Sequence, residues 1–151
     1  MDDKAMLNGS GEPMTVLVVD DVADFRGYVA RVLQILGYDV WQAEDGPSAM
    51  ALCESRGRPD MAVVDVSLPG LTGPEVAQHL QERCGDMGVV FMSGYAAHYL
   101  HDQGILPDGA LFLRKPFTLP DVAQALDKVI ATQELMSSQT ADVGAFCSAA
   151  D

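Results

Sequence analysis

The sequence predicts an α/β fold: a doubly wound, five-stranded parallel sheet with five helices distributed over both faces. Three observations predict it. Five short runs rich in Val, Leu and other apolar residues, at 15–19, 38–43, 61–65, 88–92 and 110–113, have the length of strands. Most lack polar alternation, which is the pattern of strands covered on both sides. Between them the apolar residues recur at helical spacing, and a strict strand–helix alternation with right-handed crossovers gives a parallel sheet. The 151 residues suit one such domain.

Residues 1–14 carry Asn8-Gly-Ser-Gly-Glu-Pro13 and no periodicity, and are expected to be a flexible arm. Thr15–Val19 is the first strand, ending abruptly in Asp20-Asp21. From Val22, the apolar positions Phe25, Val29, Val32, Leu33 and Leu36 share one helix face, and Gly37 stops that helix. Residues 38–43 alternate, as a strand nearer an edge does, and Asp45-Gly46-Pro47 opens a helix that turns Ala49, Leu52 and Cys53 inward. Gly57-Arg58-Pro59 ends it. The wholly apolar Met61-Ala-Val-Val stops at Asp65, and Thr72-Gly73-Pro74-Glu75 starts a third helix with Val76, Ala77 and Leu80 on one face. After the Gly85-Asp86 break, Gly88–Met92 runs into Ser93-Gly94-Tyr95, followed by a weak helix over about 96–103. Ala110–Leu113 is the fifth strand and leads into Arg114-Lys115-Pro116-Phe117. Thr118-Leu-Pro-Asp121 reads as a helix cap, with Leu119, Val122, Leu126, Val129 and Ile130 as the buried stripe behind it. Residues 133–151, rich in Ser and Ala, are expected to be a tail, which leaves 15–132 as the domain.

Composition narrows the function. Nine Lys plus Arg stand against 22 Asp plus Glu, a formal charge of −13 that disfavours direct binding to nucleic acid or to anionic membrane. No apolar stretch approaches the roughly 20 residues of a membrane span, and the polar start lacks a secretory signal pattern. Cys53, Cys84 and Cys147 match neither a zinc site nor a disulfide framework, so a cytoplasmic, reducing location is expected. His79, His98 and His101 lack partners at ligand spacing and are expected on the surface. There is no GxGxxG after the first strand and no GxxxxGK[ST], which argues against the nucleotide-binding members of this fold class.

What remains is a set of strand ends. In a parallel sheet every carboxyl end points to one edge, where such folds bind their ligands, so Asp20, Asp21, Asp65, Ser93 and Lys115 can converge there from distant parts of the chain. Adjacent acids at a buried strand end repel each other unless a positive group lies between them, and a divalent cation is a usual remedy.

These residues carry a resemblance. The acidic pair after the first strand, the Asp-x-x-x-Pro-Gly-x-x-Gly run from Asp65, Ser93 in Phe-Met-Ser-Gly-Tyr and the Lys115-Pro116-Phe117 triplet are similar to the receiver domain of two-component and phosphorelay response regulators, over about 15–131. Phe-Met-Ser-Gly-Tyr and Phe-Leu-Arg-Lys-Pro-Phe also resemble receivers fused to sensor kinases. The resemblance implies the flavodoxin-like strand order 2-1-3-4-5. It implies that Asp65 is a nucleophile, phosphorylated by a phosphohistidine on a histidine kinase or histidine phosphotransfer protein. It implies Mg²⁺ held by Asp21, Asp65 and the backbone carbonyl of Ser67, with Asp20 acting through water. Lys115 and the Ser93 hydroxyl would then face the transferred phosphoryl oxygens, and the Lys115–Pro116 bond would be cis.

Ser93 and Phe112 would form the switch, moving a face built from the fourth helix, fifth strand and fifth helix toward a downstream protein or into a phosphorylation-dependent homodimer. Ser stands at 93 where Thr is frequent, and Phe at 112 where Tyr is frequent. Ser67 and Tyr95 would govern water access to the phosphorylated aspartate, the first too short to hold a water and the second able to cover the site. The implied protein is a signalling phosphoacceptor rather than an enzyme, with no output domain following residue 132. Two other readings stand beside it. A phosphatase of the haloacid-dehalogenase type would need a general acid where Ser67 is found. A receiver-like interaction module that is never phosphorylated would typically lack part of the acid, Lys and Ser set.

Overall fold

In the computed structural model, residues 11–85, 87–107 and 109–132 are described. Five parallel strands form one sheet: β1 (Thr15–Val19), β2 (Asp39–Ala43), β3 (Met61–Asp65), β4 (Gly88–Ser93) and β5 (Leu111–Arg114), in the order β2-β1-β3-β4-β5. The helices α1 (Ala23–Ile35), α2 (Gly46–Arg56), α3 (Gly73–Cys84) and α4 (Ala97–Asp102) alternate with them, and α5 occupies 119–132. The order places β1 and β3 side by side at the centre, so the acids that end both strands leave the same edge of the sheet.

The two faces carry separate cores. On one, Val16, Val18, Met61 and Val63 meet Val29, Val32 and Leu33 of α1 and Val122, Leu126 and Val129 of α5. On the other, Leu17, Val19, Ala62 and Val64 meet Ala49 and Cys53 of α2, Val76, Ala77 and Leu80 of α3 and Leu100 of α4. Successive residues of β3 therefore feed opposite cores, which is why the run needs no polar alternation.

Several boundaries move by a residue. Tyr38 is buried but precedes β2, whose first residue, Asp39, donates its N–H to the Met14 carbonyl at 2.9 Å. Met14, the last residue of the expected arm, packs against the first core. The β5 ladder is shifted one residue later than expected, to Leu111–Arg114, because Leu111 pairs with Val90 and Arg114 with Ser93. Most of the expected N-terminal arm (1–10) and the expected tail (133–151) lie outside the described residues. No described helix is long and apolar enough to cross a membrane.

Gly73 shows why the β3–α3 connection has its composition. A Cβ at this position would lie 2.2 Å from the Asp65 carbonyl oxygen, so only glycine lets α3 start against the backbone of β3. The Gly73 N–H then reaches the Val66 carbonyl at 2.8 Å. Thr72 and Glu75 close a reciprocal capping box on the same turn, which presses the helix start onto the strand end.

Candidate functional site

At the carboxyl edge, the two acids after β1 part company. Asp20 is fully buried and Asp21 is exposed. Asp20 is held from below: its Oδ1 accepts the Val22 N–H at 2.8 Å, and its carbonyl accepts from the Arg26 guanidinium at 2.8 Å. Asp65 is buried at the end of β3, with the Ser67 N–H donating to its Oδ1 at 2.9 Å. One carboxylate oxygen from each of Asp20, Asp21 and Asp65 lies within 4.8 Å of the other two.

The positive group among these acids is Lys115. Its Nζ donates to Asp65 Oδ2 at 2.6 Å and to Asp20 Oδ2 at 3.0 Å, and lies 4.4 Å from the centre of the Phe25 ring. The Lys115 backbone is fixed by its N–H on the Ser93 carbonyl at 2.8 Å, and the Lys115–Pro116 bond is cis. Burial pulls the ammonium toward deprotonation, but the hydrogen bonds to Asp65 and Asp20 outweigh it and hold its pKa above the ordinary value. For Asp65, burial raises the pKa, and the bonds from Lys115 and Ser67 offset only part of that rise.

Ser93 is buried at the end of β4, where its Oγ accepts the Tyr95 N–H at 3.0 Å. That bond uses a lone pair and leaves the hydroxyl proton free to be donated. Tyr95 itself is exposed, and its ring stacks on Tyr99 of α4 with centroids 5.3 Å apart. Phe112 is half-buried on β5, packed against the core that contains Phe91 and Leu100. The structure thus brings Asp20, Asp21, Asp65 and Lys115 together. Ser67 joins them through its backbone amide, Ser93 takes the adjoining strand end, and Tyr95 and Phe112 sit outside this cluster.

Sequence reasoning read Phe25 only as a member of the α1 stripe, and it did not single out Arg26 or Tyr28. In the fold, Phe25 lies under the Lys115 ammonium and makes an edge contact with Phe117, while the Tyr28 hydroxyl donates to the Phe117 carbonyl at 2.8 Å. One helix therefore supports both the acidic loop and the turn that delivers Lys115. The only sequence signal for this was the crowding of aromatic and basic residues in the first turns after Asp21. Of the histidines, His79 and His98 are exposed and His101 is half-buried, and among the described residues none belongs to a group that could hold a metal.

An all-oxygen set of carboxylates fits a hard divalent cation such as Mg²⁺, and lacks the nitrogen or sulfur donors that zinc favours.

Comparisons with known proteins agree with this geometry. The chain is 33% identical over 121 residues to a probable transcriptional regulatory protein, TcrX, of Mycobacterium tuberculosis, an alignment covering 80% of this chain and 51% of TcrX. It is 34% identical over 131 residues to the sensor kinase CckA of Brucella abortus, covering 85% of this chain and 13% of the kinase. The chain thus spans about half the length of the first relative and a small part of the second. Among solved structures, the chemotaxis protein CheY4 of Vibrio cholerae superposes with a TM-score of 0.66 at 27% identity, covering 77% of this chain and 98% of CheY4. Residues 16–127 match the family described as the response regulator receiver domain. With its strand order and its acid and Lys strand ends in place, the chain belongs to the receiver domains of response regulators.

Proposed function

We propose that the chain is a phosphoacceptor switch in which Asp65 takes a phosphoryl group from a phosphohistidine on a partner histidine kinase or phosphotransfer protein. The observation that carries this reading is the Lys115 ammonium bridging Asp20 and Asp65 at the edge where Asp21 completes a three-carboxylate cluster. An Asp65 carboxylate oxygen attacks phosphorus, the O–P bond forms, and the P–N bond breaks with its electron pair returning to the imidazole. The Ser67 amide on Oδ1 orients the carboxylate for this attack. Asp20, Asp21, Asp65 and the Ser67 carbonyl are the groups that would hold Mg²⁺, which when bound neutralises the acids and the incoming phosphoryl oxygens.

Lys115 exchanges its bond to Asp65 for one to a phosphoryl oxygen, and Ser93 donates its hydroxyl proton to another. Movement of Ser93 lets Phe112 shift inward, and the surface of α4, β5 and α5 changes for a downstream protein or a second copy of the chain. Because Phe112 has no hydroxyl to keep in water, an inward population exists before phosphorylation. Ser67 is too short to hold an attacking water, and Tyr95 leaves its stack on Tyr99 to shield the phosphoryl group, which gives the phosphorylated form a long life.

Loading with acetyl phosphate and Mg²⁺, followed by intact-mass measurement, tests the reading. One phosphoryl group is expected on the wild type, and none on Asp65→Asn or without divalent cation. After donor removal, Ser67→Asn with Tyr95→Glu is expected to decay about 10–100-fold faster than wild type. Labelling of Asp65→Asn at the wild-type rate removes the proposal. Continuous release of inorganic phosphate would instead indicate a phosphatase.

A further inference from the structure

Two thiols have no part in the phosphoacceptor site. Cys53 lies on the inner face of α2, 9% exposed, and Cys84 is the half-buried last residue of α3; both are free. Cys53 is a buried member of the core between α2 and α3, Cys84 packs against that same core, and the two thiols are neighbours across the helices. A second contact fixes the same register. Glu54, next to Cys53, is ion-paired with Arg83, next to Cys84. The ion pair and the shared core hold α2 and α3 side by side at this point, which brings the two cysteines to the same place on the helix pair.

We propose that Cys53 and Cys84 form a peroxide-sensitive dithiol that closes to an intramolecular disulfide tying α2 to α3. Cys84, the more exposed thiol, attacks one oxygen of a hydroperoxide as its thiolate. The O–O bond breaks, that oxygen stays on sulfur as a sulfenic acid, and the other leaves as water or alcohol after taking a proton. The Cys53 sulfur then attacks the Cys84 sulfur, and the expelled hydroxide takes the Cys53 proton to leave as water. Two thiols are oxidised by two electrons in total, and the peroxide oxygens accept them. Burial, with the neighbouring Cys84 thiol adding to it, pushes the Cys53 thiol up to about 12, so Cys53 is not the thiol that meets the oxidant first. The tie would act on the helix whose opposite end, at Gly73, abuts the Asp65 carbonyl.

The test uses the full chain carrying Cys147→Ser, so that only these two of the three cysteines remain. After hydrogen peroxide treatment and alkylation, an unreduced peptide map is expected to contain a Cys53–Cys84 cross-link within one chain. The intact mass should fall by two hydrogens, and the Tm should rise and return on reduction with dithiothreitol. Adding Cys53→Ser should leave Cys84 as a sulfenic acid trapped by dimedone, or carry it on to sulfinic acid. The wild-type chain mapped in parallel guards against a folding defect of the variant. Recovery of both thiols in alkylatable form, over-oxidation of Cys84 with Cys53 still free, or a cross-link only between chains would overturn the proposal.

Discussion

At the site, Lys115 does for the acids what a metal would also do. Its ammonium occupies Oδ2 of both Asp20 and Asp65, so any cation reaching those oxygens competes with it. Replacing it by Gln leaves the fully buried Asp20 facing Asp65 without a counter-charge, and removing one partner of such a cluster costs about 3 kcal/mol. Lys115→Gln is therefore expected to be destabilised in the absence of divalent cation and to recover more Tm on Mg²⁺ addition than the wild type does. Equal Mg²⁺ shifts in the two proteins would show that lysine and metal do not share those oxygens. Asp65 supplies a pH test. Burial raises its folded pKa above the ordinary 3.8, so the contribution of the carboxyl to stability is fully present below that value and is lost as pH rises through the folded pKa. Asp65→Asn should be at least as stable as wild type at neutral pH, and its relative advantage should shrink on acidification, as read by urea unfolding across that range. The residue types at the strand ends were legible in the sequence. The pairing was not, because strand order brings Lys115 into contact with Asp20, and the burial of Asp20 depends on contacts from Ala43, Arg26 and Lys115 in separate elements.

Among the elements, α3 is the best specified and α4 the least. Thr72 caps α3 by accepting the Glu75 N–H, and Glu75 returns the bond to the Thr72 amide at 2.9 Å. Ala96 offers α4 no side-chain cap, and only six residues follow. Loss of the Thr72 hydroxyl should cost about 1 kcal/mol, so Thr72→Ala is expected to lower the urea midpoint and Thr72→Ser to restore most of it. If Thr72→Ala leaves the midpoint unchanged, the box contributes nothing beyond the Pro74 start. The start of α3 was visible in Thr72-Gly-Pro-Glu, since cap and Pro act through local backbone geometry. The one-residue shift of β5 was not visible, because its register is set by pairing with β4 and not by its own residues.

Across the fold, one sheet separates two cores that share no side chain among the described residues. Val63 and Val64 are chain neighbours with 0% exposure each, yet the first faces α1 and α5 and the second faces α2 and α3. Truncating either to Ala removes two buried methyl groups and leaves a small cavity, at about 2 kcal/mol each. The double substitution is expected to cost nearly the sum, because the two cavities border different neighbours. A strongly sub-additive double mutant, measured by chemical denaturation, would mean that the two cores relax into one another through the sheet.

The apolar runs, the helical spacing between them and the Pro and Gly breaks determined the α/β class, since each reflects local propensity and burial that any neighbouring segment must satisfy. The same local reading placed Asp20, Asp21, Asp65, Ser93 and Lys115 at strand ends. Only the tertiary structure decided that Asp20 is buried and Asp21 exposed, that Phe25 lies beneath Lys115 and Tyr28 holds the Phe117 carbonyl, and that Cys53 and Cys84 share one core. Each of these contacts joins residues from separate βα units, and the spacing within one unit carries no information about the rotation and register with which another packs against it.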